Sequence, residues 1–286
     1  MKESLQKKVD RAIKLLQSVA KGNDEYIEVA YSGGKDSDVI LNLARQAGIK
    51  IRPVYHNTTI DPPGTLTHVT EVGGVQIERP DRSFFQLIEQ MGMPNRFKRF
   101  CCRYLKEIKT YNKSIIGIRK AESTKRNLAY NEPTQCKYYG AKKEENHVEA
   151  IYPILDWADE DVLEFVKAEG IRLHPLYYHE DGSIDIKCRL GCMCCPLTYY
   201  KKRILQFKKY PGMVRAYCRA AQIFLETHPN VETVGKYTDV YQWFCREVFF
   251  ERQDRWEKWL ADNKTSFFGI HDYRQFLMDY FKVNYL

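Results

Sequence analysis

The chain has 286 residues, a net charge of +8, and a composition that is 44% hydrophobic and 13% aromatic. This length suits one large domain or a domain with a smaller appendage, and the composition excludes a disordered or low-complexity protein. No run reaches the roughly 18 apolar residues that a bilayer span needs. The N-terminal stretch MKESLQKKVDRAIKLLQ carries charges where a signal peptide would be apolar, so the expectation is a cytoplasmic protein without a membrane partner. In a reducing compartment the nine cysteines are to be read first as metal ligands or reactive thiols. The positive charge points weakly to an anionic partner, either phosphates on a small ligand or a nucleic acid.

In chain order, Leu5, Val9, Ile13 and Leu16 recur at helical spacing and predict an amphipathic first helix. YIEVAYS reads as a buried strand, DSDVILNLARQAG as a helix ending at Gly48, and IKIRPVYHNT as a second strand, together a βαβ unit. A strand VQIERP, helices FFQLIEQMG and CCRYLKEIKTYNK, and a strand SIIGIR continue the alternation. The predicted fold class is therefore α/β, a doubly wound and mostly parallel sheet, with a C-terminal Cys-rich and helical region. A domain boundary is expected near Gly182, giving a nucleotide-binding domain over 1–181 with its N-terminal helix, and a second region over 182–286. In such sheets ligands lie at the carboxyl ends of the strands. Three unusual loops fall there: 32–37, 57–59 and 119–126. In the tail, YYKKRILQFKKYPGMVRAYCRAAQIFLETH and DVYQWFCREVFFERQDRWEKWLADN place apolar residues at helical spacing with charge between them. Aromatics interleaved with basic residues can stack on a nucleic acid, but more often such aromatics fill a core.

The loop in VAYSGGKDSDVILNLA carries the sharpest chemistry. Gly33 and Gly34 allow backbone N–H groups to converge on an anion, the following helix offers the positive end of its dipole, and Lys35 adds a full charge. The Walker pattern is excluded, because Val29 stands where its first glycine would be and Asp36 follows the lysine.

The string SGGKDS between strand and helix resembles the PP-loop of the adenine nucleotide α-hydrolase superfamily. That resemblance implies ATP held by its pyrophosphate, cleavage at the α-phosphate and transfer of AMP, with Ser32, Gly33, Gly34, Lys35, Asp36 and Ser37 binding nucleotide. Lys35 would stabilise the leaving pyrophosphate, and Asp36 or Asp38 would help hold Mg2+. HNTTIDPP, RFCCRYLK, GIRKAESTKR, YPILDWADEDVLEFV and RLGCMCCPL follow in the order expected of the phosphoadenosine phosphosulfate reductase family, over roughly residues 25–215. By this resemblance Arg119 and Arg126 look like clamps for phosphate or sulfate oxygens, with Glu122 and Ser123 orienting them. The bidentate guanidinium fork suits that task. Lys35, Asp36 and Arg119 are the expected catalytic residues.

Adjacent Cys101 and Cys102, with the pair Cys192 and Cys195, are similar to the set that holds a [4Fe–4S] cluster in one branch of this family; zinc is the alternative. Cys188 and Cys194 could substitute as ligands, whereas Cys136, Cys218 and Cys245 read as lone, buried small hydrophobes. The Glu-Cys-Gly-Leu-His type segment that carries the sulfur-attacking cysteine of true sulfonucleotide reductases is absent, and Cys245 sits in an aromatic context that should raise its pKa. What remains is similar to DNA phosphorothioation proteins and to cluster-containing tRNA thiolation enzymes. The expected activity is ATP-dependent release of pyrophosphate coupled to sulfur transfer, with DNA or tRNA as target and a cysteine desulfurase or other sulfur donor as partner. Sulfonucleotide reduction and a non-catalytic nucleotide- and nucleic-acid-binding module are the rivals.

Overall fold

A computed structural model describes residues 2–108, 111–138, 147–231, 235–262 and 272–286. Along the first half run α1 (Glu3–Ala20), β1 (Ile27–Tyr31), α2 (Lys35–Gln46), β2 (Ile51–His56), α3 (Thr65–Val72), β3 (Gln76–Glu78), α4 (Phe84–Met91), α5 (Phe100–Leu105) and β4 (Lys113–Ile115). Then come α6 (Thr124–Ala129), β5 (Thr134–Tyr138), β6 (His147–Ile151), α7 (Asp159–Ala168), α8 (Tyr200–Lys209), α9 (Gly212–Thr227), α10 (Val240–Phe244), α11 (Gln253–Asp262) and α12 (Tyr273–Phe281).

The chain forms two compact units, each with its own core. The first comprises Met1–Asn57, Asp61–Pro80 and Lys106–Gly191; the second comprises Thr58–Ile60, Asp81–Leu105 and Cys192–Leu286. The division thus falls at Gly191, not at Gly182, and the second unit also takes in α4 and α5 from the middle of the chain. The physical reason is burial. Phe84, Leu87 and Ile88 of α4 belong to the same apolar cluster as Tyr217 and Phe224 of α9 and Phe281 of α12.

In the first unit a six-stranded sheet has the order β3-β2-β1-β4-β6-β5. Every neighbouring pair is parallel except β5 with β6. The predicted α/β class holds. The apolar runs became the central strands: Val29 of β1 pairs in register with Pro53 of β2 and Ile115 of β4. From β1 the chain moves outward to β2 and β3, then returns to place β4 on the other side of β1, so the carboxyl ends of β1 and β4 flank a switch point, the usual position of a ligand cleft in open α/β sheets. α1 buries Leu5, Val9, Ala12 and Leu16, with predicted Ile13 at the margin of that face. The helix expected over CCRYLKEIKTYNK is confined to α5; Lys109 and Thr110 lie outside the described residues. β5 and β6 had no counterpart among the expected strands. No helix among the described residues is long and apolar enough to cross a membrane.

The second unit is helical around an aromatic core in which Phe207, Tyr217 and Phe244 meet edge to face at 5.3–5.9 Å. Beneath it Glu251, at a positive φ of 69°, receives Arg203 at 3.2 Å, Arg255 at 2.9 Å and Arg96. Most tail aromatics singled out for stacking are therefore core. Tyr199 stays exposed beside a face of α8 carrying Lys201, Lys202, Lys208 and Lys209.

Candidate functional site

The loop after β1 is shaped by its smallest residues. Gly33 has a φ of +72°, a region that side-chain-bearing residues avoid. A Cβ on Gly34 would lie 3.3 Å from the Tyr177 hydroxyl and 3.4 Å from Ser32 Oγ. Ser37 ties the turn together: its hydroxyl donates to Gly34 O at 2.7 Å and accepts from Ser32 N–H at 3.2 Å and Ser32 Oγ at 3.3 Å. α2 begins immediately at Lys35, so its N-terminus and the positive end of its dipole face the loop.

Beyond β4 the backbone comes equally close. A Cβ on Gly117 would stand 2.9 Å from Asp36 O. These loops border a cavity of about 530 Å³, lined among others by Ser32, Lys35, His56, Lys106, Arg126 and Arg189. That volume suits a ligand of nucleotide size.

Lys35 is only 3% exposed; its ammonium donates to Cys188 O at 3.1 Å and lies 3.5 Å from Asp36. Burial lowers its pKa against the opposing pull of Asp36. Arg119 is 1% exposed and does not line the cavity. Its Nε donates to Asp36 Oδ1 at 2.6 Å, and its other nitrogens reach Asp159 Oδ1 at 2.8 Å and Trp157 O at 3.3 Å. Burial alone would lower its pKa, but Asp36 and Asp159 together raise it. The expected clamp is therefore turned away from the cavity and braces Asp36 from behind.

Asp36 and Asp38 do not fit the role of Mg2+ ligands. Asp36 is held between Arg119 and Lys35. Asp38 is buried, accepts the Tyr31 hydroxyl at 2.5 Å and lies 3.3 Å from His68 Nε2; burial raises its pKa.

Arg126 lines the cavity and pairs with Glu122, which also lies 3.5 Å from Arg189. Burial, then the like charge of Arg189, lowers the Arg126 pKa. Two guanidinium groups thus share Glu122, while Asp36, Asp61 and Glu107 also line the cavity beside Lys35 and Lys106. Glu122 also accepts Arg119 N–H at 3.1 Å, and Ser123 caps α6 by accepting Arg126 N–H at 3.2 Å. The segment 57–59, expected near the ligand, splits: Thr58 and Thr59 belong to the second unit, where Thr59 Oγ1 accepts Phe84 N–H at 2.8 Å.

Sequence reasoning missed Tyr177, Arg189, Gly117 and Asp159 as site residues. Asp159 had a signal in its place within the acidic run DWADED. Gly117 and Arg189 stood at the start of GIRKAESTKR and RLGCMCCPL, motifs read for their other residues, whereas Tyr177 had no signal beyond residue type.

Cys101, Cys102, Cys192 and Cys195 all fall in the second unit, although roughly ninety residues separate the pairs. A hydrogen bond with Cys102 comes first among the influences that raise the Cys101 pKa, followed by burial and the charges of Cys102, Cys195 and Cys192. Cys192 Sγ lies 3.6 Å from Thr58 Oγ1. Yet among the described residues no three His, Cys, Asp or Glu side chains form a ready-made metal sphere. The four thiols are gathered without being closed. Cys194 is buried at a positive φ of 54° with its thiol pKa pushed up to about 12 by burial, and Cys245 is fully buried with its pKa raised by the same cause.

The family profile of the phosphoadenosine phosphosulfate reductase domain matches residues 26–198, more than half of the chain. The chain belongs to this family. Among curated relatives, the uncharacterized proteins MJ0973 and MJ0066 of Methanocaldococcus jannaschii are 27% and 28% identical, covering 74% and 71% of this chain. The chain spans 51% and 42% of their lengths, about half of the curated relatives it matches. Solved structures to which this family member is similar include a phosphoadenylyl-sulfate (PAPS) reductase from Candida auris in a phosphate complex. It is 14% identical, with 64% of this chain and 95% of that chain covered at a TM-score of 0.43. Another is the U34-tRNA thiolase NcsA from Methanococcus maripaludis with its [4Fe-4S] cluster, 14% identical, with 79% and 82% covered at a TM-score of 0.38.

Proposed function

We propose that this phosphoadenosine phosphosulfate reductase family member is an enzyme that binds ATP with its phosphates in the 32–37 loop and cleaves it at the α-phosphate. Pyrophosphate is released, and the activation serves sulfur transfer to a nucleic acid. The observation that carries this reading is the cavity at the β1/β4 switch point, where the loop, the N-terminus of α2, Lys35, Arg126 and Arg189 face one space.

In the proposed step an acceptor oxygen attacks the α-phosphorus, and the bond to the bridging oxygen of pyrophosphate breaks, that oxygen keeping the electron pair. Lys35 and the loop amides stabilise the charge that accumulates there. Arg119 acts as a positioning residue: by fixing Asp36 it fixes the first turn of α2. Asp36 is occupied by its cations, so the acceptor proton passes to solvent. A sulfur nucleophile from a donor such as a cysteine desulfurase then displaces AMP from the activated acceptor.

The donor set Cys101, Cys102, Cys192 and Cys195 fits a [4Fe–4S] cluster, since four thiols are its full requirement and the four are gathered in one unit. When bound, such a cluster, with a thiolate on each of its four irons, would supply bracing and electron transfer, since no iron is left open to carry sulfur. Zinc is the alternative occupant. Burial of Cys194 and Cys245 counts against sulfonucleotide reduction through either thiol, because each would have to ionise away from water; half-buried Cys188 is the thiol through which that rival reading would run. For DNA or tRNA as the target, the supporting feature is the exposed lysine face of α8.

The test is pyrophosphate release from ATP by anaerobically prepared protein, alone and with DNA or tRNA added in separate reactions. Release that one nucleic acid stimulates identifies the target class, and reversing the charges of Lys201, Lys202, Lys208 and Lys209 should reduce both the stimulation and the salt dependence of binding. Absence of pyrophosphate in every mixture refutes the reading. Iron and sulfide in matching amounts, lost in Cys→Ser variants, test the cluster separately.

A further inference from the structure

Tyr177 lies at the one point where the loop, the cavity and the segment 188–190 meet within the first unit. It is 2% exposed and lines the cavity. Its hydroxyl oxygen accepts two backbone hydrogen bonds, from Lys35 N–H at 3.2 Å and Leu190 N–H at 3.2 Å. A tyrosine hydroxyl has a single proton and few lone pairs to offer. With two N–H groups already directed at the oxygen, acceptance is saturated and the proton must point elsewhere. Among the described residues no acceptor takes it.

Three further observations bear on where that proton goes. Gly34 leaves the space in front of the oxygen clear, since a Cβ there would sit 3.3 Å from it. The Lys35 ammonium, itself 3.5 Å from Asp36, stands 5.5 Å from the ring centroid, so the ring borders the charged end of the loop. Burial raises the phenol pKa to about 12, which keeps the proton in place at neutral pH.

We infer that the Tyr177 hydroxyl is a ligand-directed donor, giving its proton to a phosphoryl oxygen bound in the 32–37 loop. At the same time its oxygen ties the first residue of α2 to Leu190. The inference rests on the phosphate-binding role of the loop in the proposed function. Tyr177 is then a binding residue for the phosphate portion of the ligand and not for its base.

The experiment measures affinities of the full chain for ATP, adenosine and inorganic pyrophosphate. Tyr177→Phe should weaken ATP and pyrophosphate by about tenfold or more, the worth of a hydrogen bond to a charged group, and leave adenosine within about twofold. Because phenylalanine also strands two N–H groups, a second variant carries a difluorinated tyrosine at position 177. That residue keeps the oxygen as acceptor but loses its proton at lower pH. Its ATP affinity should fall more steeply with pH than that of wild type, the excess tracking the fluorine resonance that reports ionisation.

Unchanged ATP and pyrophosphate affinity in Tyr177→Phe overturns the inference, as does a fluorinated variant whose affinity ignores ionisation. If wild-type protein binds pyrophosphate but no adenine nucleotide, the ATP reading fails, and loss of pyrophosphate binding in Tyr177→Phe still supports the donor. A wild type that binds neither overturns both.

Discussion

Replacing Lys35 with methionine should move two assays in opposite directions. The ammonium is 3% exposed, and its depressed pKa means that the cost of burial exceeds what Asp36 at 3.5 Å returns. Methionine removes the charge while keeping the length, and Asp36 keeps Arg119 at 2.6 Å, so no carboxylate is orphaned. The variant should therefore gain about 1 kcal/mol of stability near neutral pH, as replacements of buried charges often do. For binding, an ammonium about 4 Å from one phosphate charge contributes about 4 kcal/mol at an effective dielectric constant of about 20. Giving up the Cys188 carbonyl to reach the ligand costs about 1 kcal/mol. The remaining 3 or so correspond to an ATP affinity about 100-fold weaker in the variant. The sign in pH follows from linkage. With the folded pKa below the unfolded one, the unfolded chain holds this proton to higher pH, so wild-type stability from this group is full above the unfolded value and lost as pH falls through the folded one. The gap in Tm between variant and wild type should accordingly narrow as pH rises toward about 10. Thermal unfolding across pH and calorimetric titration with a non-hydrolysable ATP analogue read both effects. A variant that is less stable than wild type at neutral pH, or one that binds the analogue as tightly, refutes the reasoning.

Gly117→Ala places a methyl group 2.9 Å from Asp36 O, against helix backbone that cannot yield, and should cost about 1–3 kcal/mol with a parallel loss of ATP affinity; a variant with wild-type Tm would show that the two backbones are not so close. Glu251→Gln leaves the buried Arg203 guanidinium without its anion and should cost about 3–5 kcal/mol in urea unfolding. A loss under about 1 kcal/mol would mean that Arg203 is solvated. Cys245→Ser introduces a hydroxyl into a fully buried aromatic setting and should cost about 1–3 kcal/mol while leaving pyrophosphate release per folded molecule unchanged. Loss of release at unchanged Tm would restore Cys245 as a reactive thiol.

The sheet's centre could be read from sequence because burial on both faces forces near-continuous apolar runs, as in IEVAY of β1. The outer hairpin could not. β5 is TQCKY and β6 is HVEAI, and their polar alternation, characteristic of strands with one wet face, gives a weaker signal over five residues. In the site, the residue types of the 32–37 loop suffice to mark an anion cradle, since two glycines, a lysine and a helix start are chemically committed to that task. The direction of Arg119 depends on Asp159, forty positions away, and on Asp36. Its motif specified a guanidinium there but not which way it would face. Tyr177 had no local signal at all, because its importance comes from two backbone N–H groups that only the tertiary fold brings to one oxygen.

The second unit draws on three separated stretches of chain, and this shapes how the protein is made. During synthesis α4 and α5 leave the ribosome long before the helices that cover them. Phe84, Leu87 and Ile88 must wait for Tyr217, Phe224 and finally Phe281. Until then a greasy helix trails from a sheet whose own strands are still arriving, the kind of nascent species that draws chaperones or aggregates. A stop codon placed before α12 would remove Leu277 and Phe281 from that core, so truncation should yield a chain that stays bound to folding helpers instead of a working catalyst with a shortened tail.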